Sequence, residues 1–154
     1  MPGETSLSGN VLGDFLCFSI YSAGHAFNQL YRTLLDDLGL TYPQYLVMSY
    51  LWDADNKSLK EIGAALELES NTLTPMLKRL EGMNLLVRCR DKQDERLVRI
   101  QLTKAGRDLK SRADQIPPCV LEATGLTADE LTDLIQKINT VKTHVKAFSN
   151  SHTN

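Results

Sequence analysis

Long apolar runs are missing from this 154-residue chain. Nowhere do about 18 apolar residues follow one another, so no segment reads as a membrane-spanning helix. The first 15 residues, MPGETSLSGNVLGDF, have neither a basic start nor an apolar core, which argues against an export signal and for a cytoplasmic protein. Cysteine is scarce as well. Cys17, Cys89 and Cys119 stand too far apart for a CxxC pair or a zinc-ligand spacing, so neither a metal nor a cofactor is expected. In a reducing compartment each thiol stays free, as a small buried hydrophobe or a reactive group. The composition, 42% apolar and 23% charged, suits one ordinary soluble domain.

A net charge of -2 lacks the basic excess that marks many nucleic-acid-binding proteins, but the charges are unevenly placed. From Lys78 to Arg112 there are 11 basic against 5 acidic residues, while the remainder holds 6 basic against 14 acidic. A positive field confined to one region attracts phosphate there and repels it elsewhere, which orients an approach to DNA.

Helical periodicity runs from Leu12 to Leu38, with Gly39 closing the run. Thr41 and Gln44 make a capping box for a second helix ending near Trp52, with Pro43 in its first turn. Ser58 and Glu61 make another, for a short helix from Leu59 to Leu66 with Ile62, Ala65 and Leu66 inward. After a turn at 67–69, Ser70 opens a helix whose buried stripe is Leu73, Met76, Leu77 and Leu80, with Pro75 near its first turn. Ser70, Asn71, Thr72, Thr74, Lys78 and Arg79 are left for its outer face.

Between Val87 and Ile100 the alternation of a hairpin surrounds a charged tip, Asp91 to Glu95. Thr103 caps a helix predicted to run to Pro117-Pro118, where the prolines break or kink it. Thr127 and Glu130 box the last helix, whose stripe is Leu131, Leu134, Ile135, Ile138, Val141, Val145 and Phe148. The expected architecture is mainly α with a small β wing, a winged helix-turn-helix. A dimer would form through the end helices, 10–40 and 103–149, around a DNA-binding lobe at 41–102. Two reading helices about 34 Å apart would call for double-stranded DNA with an inverted repeat.

The succession LTYPQYLVMSYLW (Leu40 to Trp52), ESNTLTPMLKRLEGMNLLVR (Glu69 to Arg88), DKQDER (Asp91 to Arg96) and LTKAGR (Leu102 to Arg107) resembles the MarR family of winged helix-turn-helix repressors. The stretch LCFSIYSAGHAFNQLYR (Leu16 to Arg32) resembles its organic-hydroperoxide-sensing branch, OhrR. That resemblance implies a redox-sensing repressor, not an enzyme, released from its operator when organic hydroperoxide oxidises Cys17. It implies that Tyr31 and Tyr42 of the partner subunit donate to the Cys17 thiolate, with Tyr21 nearby. Independently of the family, a cysteine near a helix start feels the positive end of the dipole, and phenol donors further favour the thiolate. Phe15, Leu16 and Phe18 would suit a greasy peroxide.

By the same resemblance Cys119 is a resolving cysteine of the partner subunit or a bystander, and a small thiol would cap the sulfenate in the second case. Cys89 reads as a bystander, and His25 as a surface or packed histidine. The implied DNA contacts are Ser70, Thr72 and Thr74 toward bases or nearby phosphates, with Lys78, Arg79 and Arg90 as further contacts. Arg96 is placed in the minor groove, braced by Asp94. Two other readings stay open: a repressor released by a small phenolic or other non-covalent ligand, and a thiol peroxidase.

Overall fold

The computed structural model describes residues 15–152. The chain divides into two compact units between Ala113 and Asp114. No described helix is long and apolar enough to cross a membrane.

The first unit begins with α1 (Leu16–Leu34). The expected start at Leu12 lies outside the described residues, and the helix does not run through to Leu38. It stops at Leu34, and Asp36–Leu38 makes a single 3-10 turn before Gly39, whose φ of 66° reverses the chain. Two aspartates at the negative end of a helix dipole disfavour further α turns, and the fully buried Leu35 fixes the break. In α2 (Tyr42–Asp53) both halves of the Thr41/Gln44 capping box form, and Tyr45, Val47, Met48 and Leu51 are buried. Strand β1 (Lys57–Ser58) leads into α3 (Leu59–Leu66), which carries the complete Ser58/Glu61 box. Of the three residues expected inward on α3, only Ile62 is buried; Leu66 is half-buried and Ala65 exposed. Two turns present a single row of side chains to the core.

Helix α4 spans Ser70–Gly82, with Leu73, Leu77 and Leu80 buried and Met76 half-buried. Ser70 is its first helical residue, but the cap is Glu69, without a side-chain hydrogen bond. Pro75 stands inside the helix rather than near its first turn. It removes the N-H that would bond the Asn71 carbonyl. Both residues are exposed, so water can serve that oxygen.

Strands β2 (Leu86–Arg90) and β3 (Val98–Leu102) pair antiparallel from Leu86↔Leu102 to Arg90↔Val98. Strand β1 adds to the far side of β3, giving the order β1-β3-β2. A two-residue strand is too short to show periodicity, which is why the sequence does not announce it. Helices α5 (Lys104–Asp108) and α6 (Lys110–Ala113) follow. The Thr103 hydroxyl accepts from Gly106 N-H at 2.9 Å, as its predicted capping role requires.

The second unit holds α7 (Ile116–Thr124) and α8 (Ala128–Ser151). Pro117 and Pro118 do not terminate the post-wing helix. That helix is already broken at Leu109, and the prolines lie in the first turn of α7, where a missing N-H has no helical partner to lose. The Thr127/Glu130 box is complete at the start of α8. Along α8 the predicted stripe is uncovered, from 36% exposure at Val141 to 66% at Phe148, with Leu131 half-buried.

Candidate functional site

Cys17 lies in the first turn of α1 and is exposed. Its helix cap, Phe15, makes no side-chain hydrogen bond, and no acidic residue stands in the first turn. No first-turn acid therefore offsets the positive end of the helix dipole beside the thiol. Tyr21, one turn on, is 65% exposed and meets His25 edge-on at 4.5 Å between ring centroids, which places His25 as a packed surface residue. Phe15, Leu16 and Phe18, next to the thiol in the chain, are exposed at 44%, 58% and 39%.

Tyr31 and Tyr42 are brought together: their rings stack at 4.3 Å, with Tyr45 at 5.8 Å from Tyr31. Burial, then the neighbouring Tyr42 and Tyr45, pushes the Tyr31 phenol up to about 12. Burial and then Tyr45 raise Tyr42 in the same direction. Both phenols keep their protons, and hence their capacity to donate, throughout the neutral range. Between the ordinary value of 10 and about 12 the folded chain retains a proton that the unfolded chain releases. The stability linked to Tyr31 is accordingly complete below pH 10 and lost as pH rises through about 12. A phenolate absorbance titration of the folded protein should show a late component that Tyr31→Phe removes; an unchanged profile would contradict the burial argument.

Cys17 is not brought to this pair. Tyr31 lies on the same straight helix about 21 Å further along, at 1.5 Å per residue. Beside Tyr42 a cleft of about 530 Å³ opens between α1 and α2, with Arg32, Leu35, Asp36 and Gly39 in its wall.

The aromatic cluster also reaches the base of the hairpin. Tyr45 lies 6.3 Å from Trp52, whose indole N-H donates to the Gly106 carbonyl at 2.8 Å. Ser70, Thr72, Lys78 and Arg79 are exposed on α4, while Thr74 is half-buried. Helix α4 packs against β2. Arg90 donates to the Glu95 carbonyl at 3.0 Å across the hairpin tip. Arg96 is exposed, and Asp94 accepts from its backbone N-H at 3.0 Å, so the brace acts on the main chain rather than the guanidinium. The tip extends to Leu97, tied by Asp91 N-H to the Leu97 carbonyl at 2.9 Å.

Not every cation in the basic segment is available for phosphate. Arg88 pairs with Glu81 at 2.8 Å, and Arg99 pairs with Asp91 at 2.7 Å and Glu61 at 3.3 Å. Sequence reasoning missed Arg99 and Glu61, since Glu61 already had a role as a cap and nothing in a linear pattern joins residues so far apart. Cys89 is exposed on β2, and Cys119 is exposed in the first turn of α7, in the second unit. Among the described residues no three His, Cys, Asp or Glu side chains cluster as metal ligands.

Residues 29–113 match the family model described as transcriptional regulator SarA/Rot. The chain is 47% identical over 136 residues to the HTH-type transcriptional regulator TtmR of Methylorubrum extorquens, covering 88% of this chain and 70% of that protein. It is 40% identical over 126 residues to the organic hydroperoxide resistance transcriptional regulator of Bacillus subtilis, covering 82% and 86%. Among solved structures it is similar to reduced AbfR bound to DNA, with a TM-score of 0.74 and 37% identity over 87% of this chain and 94% of that one. AbfR, from Staphylococcus epidermidis, is also known in an overoxidised form on DNA and in a disulfide form.

Proposed function

Since the chain belongs to the SarA/Rot family of MarR-type winged-helix transcriptional regulators, we propose that it is a homodimeric repressor whose grip on an inverted-repeat operator is released when organic hydroperoxide oxidises Cys17. One observation carries this reading: an exposed thiol in a helix first turn that holds no acidic residue, on the same helix as Tyr31, one of a half-buried pair of protonated phenols, about 21 Å away. Phenols that far down one helix can serve a thiolate only from another copy. The apolar faces of α1 and α8, left uncovered in the single chain, supply the surface that a second copy would bury.

The chemistry follows from these groups. The thiolate attacks the distal peroxide oxygen, the O-O bond breaks, and the alkoxide leaves as alcohol after taking a proton; sulfur becomes sulfenic acid. A charged acceptor is replaced by a larger neutral one, and the partner subunit's Tyr31 and Tyr42 lose the group that held both subunits in one arrangement. Cys119 of the partner subunit then resolves the sulfenate as a disulfide, or a small thiol caps it. A difference of a few kcal/mol in DNA affinity between the two arrangements is enough for release. The relatives are regulators rather than enzymes, which weighs against a thiol peroxidase. Arg32 is the only arginine on α1, and it lies about 22 Å from Cys17 along the helix.

On the DNA side, α4 enters the major groove with Ser70, Thr72 and Thr74, Lys78 and Arg79 meet the backbone, and the hairpin carries Arg96 to the adjacent minor groove with Arg90 as a further contact. Arg96→Ala should weaken binding of the reduced protein by about 1 to 3 kcal/mol and lower the salt dependence. Fluorescence anisotropy at several salt concentrations checks this, and an unchanged slope would remove the wing from the interface. A second reading is favoured by the cleft beside Tyr42: a small phenolic or other ligand lodged there would release DNA without oxidation. Release by peroxide, and its dependence on Cys17, separates the two.

A further inference from the structure

The hairpin carries two arginines with opposite fates. Arg96 is exposed at the tip, whereas Arg99 on β3 is held within the protein by two carboxylates. Its Nε donates to Asp91 Oδ2 at 2.7 Å and its Nη1 to Glu61 Oε2 at 3.3 Å. Each carboxylate has a second duty. Asp91 Oδ1 accepts from the backbone N-H of Gln93 at 2.7 Å and of Asp94 at 3.2 Å, which shapes the turn at the tip. Glu61 Oε2 accepts from Ser58 N-H at 2.7 Å and completes the cap of α3. An unbroken series of polar contacts thus runs from the start of the first helix of the helix-turn-helix, through Arg99, to the turn that presents Asp94 and Arg96.

We propose that Arg99 is a positioning residue for DNA recognition: without touching DNA, its guanidinium fixes the hairpin tip to α3, so that Arg96 reaches its groove in register with α4. This rests on the reading of Arg96 as a groove contact. The lever arm explains why a fixing point is needed. Five residues of strand carry the tip about 16 Å from the base of the hairpin, so a tilt of about 10° displaces it by about 3 Å, a full hydrogen-bond length. Two strands alone twist and flex, whereas a planar fork bonded to two acids resists that tilt. The short strand β1 contributes on the same side, pairing Ser58 with Arg99 in the sheet.

The test uses the reduced full-length protein and a duplex that the wild type selects from a randomised pool. Arg99→Gln should weaken binding about tenfold and lower the salt slope as Arg96→Ala does, and adding it to Arg96→Ala should cost no more than about twofold further. Arg99→Lys keeps the charge but not the fork and should behave like Arg99→Gln. Glu61→Gln preserves a residue competent for the cap and should weaken binding about threefold at an unchanged unfolding midpoint. Wild-type binding by Arg99→Gln, full restoration by Arg99→Lys, or strict additivity with Arg96→Ala overturns the proposal. If Arg96→Ala itself binds like wild type, the groove assignment falls and takes this inference with it. If Arg96→Ala is weak while Arg99→Gln adds independently, only the positioning role is lost.

Discussion

Cys17→Ser is expected to bind operator DNA like the reduced wild type and to stay bound when cumene hydroperoxide is added. The wild type should lose on the order of 100-fold in affinity under the same treatment, the equivalent of a few kcal/mol between two dimer arrangements. The expectation follows from position. Cys17 sits at the exposed start of α1 and on neither α4 nor the hairpin, and a serine hydroxyl still accepts from a phenol without the added oxygen of a sulfenic acid, so the exchange keeps the reduced arrangement. A serine hydroxyl does not become an alkoxide at neutral pH and does not attack the peroxide bond. Gel shift with and without peroxide measures the effect. Dissociation of the Cys17→Ser complex by peroxide would end the thiol model and leave the ligand cleft as the better reading. A mass spectrum of the treated wild type, read for a link between Cys17 and Cys119, decides which thiol resolves the sulfenate.

The largest loss of stability is expected from Gly106→Ala. A Cβ on Gly106 would lie 1.9 Å from the Leu85 carbonyl oxygen and 2.9 Å from its carbon, inside any permitted contact. The Leu85 carbonyl has no freedom to retreat, since it accepts from Thr103 N-H at 3.1 Å, and Thr103 Oγ1 in turn donates to the Asn84 carbonyl at 2.6 Å. Gly106 is tethered from its own side by the Thr103 cap and the Trp52 indole. Backbone against backbone, the clash should cost about 3 to 5 kcal/mol and lower the thermal midpoint by about 10 °C or more. Circular dichroism melting checks it, with Gly82→Ala as the control because a Cβ there meets nothing within 4 Å. Equal midpoints for the two variants would refute the close-approach argument.

Such a contact is invisible in the sequence, where Gly106 is one residue of a helix-starting LTKAGR. What the sequence does carry is local: capping boxes at Thr41, Ser58 and Thr127 name their own helices because cap and partner are three residues apart. The same holds for the hairpin, whose strands and tip come from a single alternation. A local rule with two outcomes does not choose between them. Prolines end one helix or begin the next, and Pro117-Pro118 begin α7. A helical period does not say where a helix tightens, so it does not separate the turn at Asp36–Leu38 from α1. At the candidate site the residue types are legible, but spacing alone does not show that Tyr31 and Tyr42 stack on each other, since they come from different helices. The Arg99 pairs, closing a gap of 38 positions to Glu61, needed three dimensions.

Trp52 is the chain's single tryptophan, and its only polar atom is engaged by the peptide that follows the hairpin. Indole emission from the protein therefore originates at one known address, with Tyr45 close enough to pass excitation to it. The polarity and hydrogen bonding felt by that indole set the colour of the emitted light. Movement of the hairpin's root relative to α2 would thus be written directly into the spectrum, so that the molecule carries its own label-free gauge.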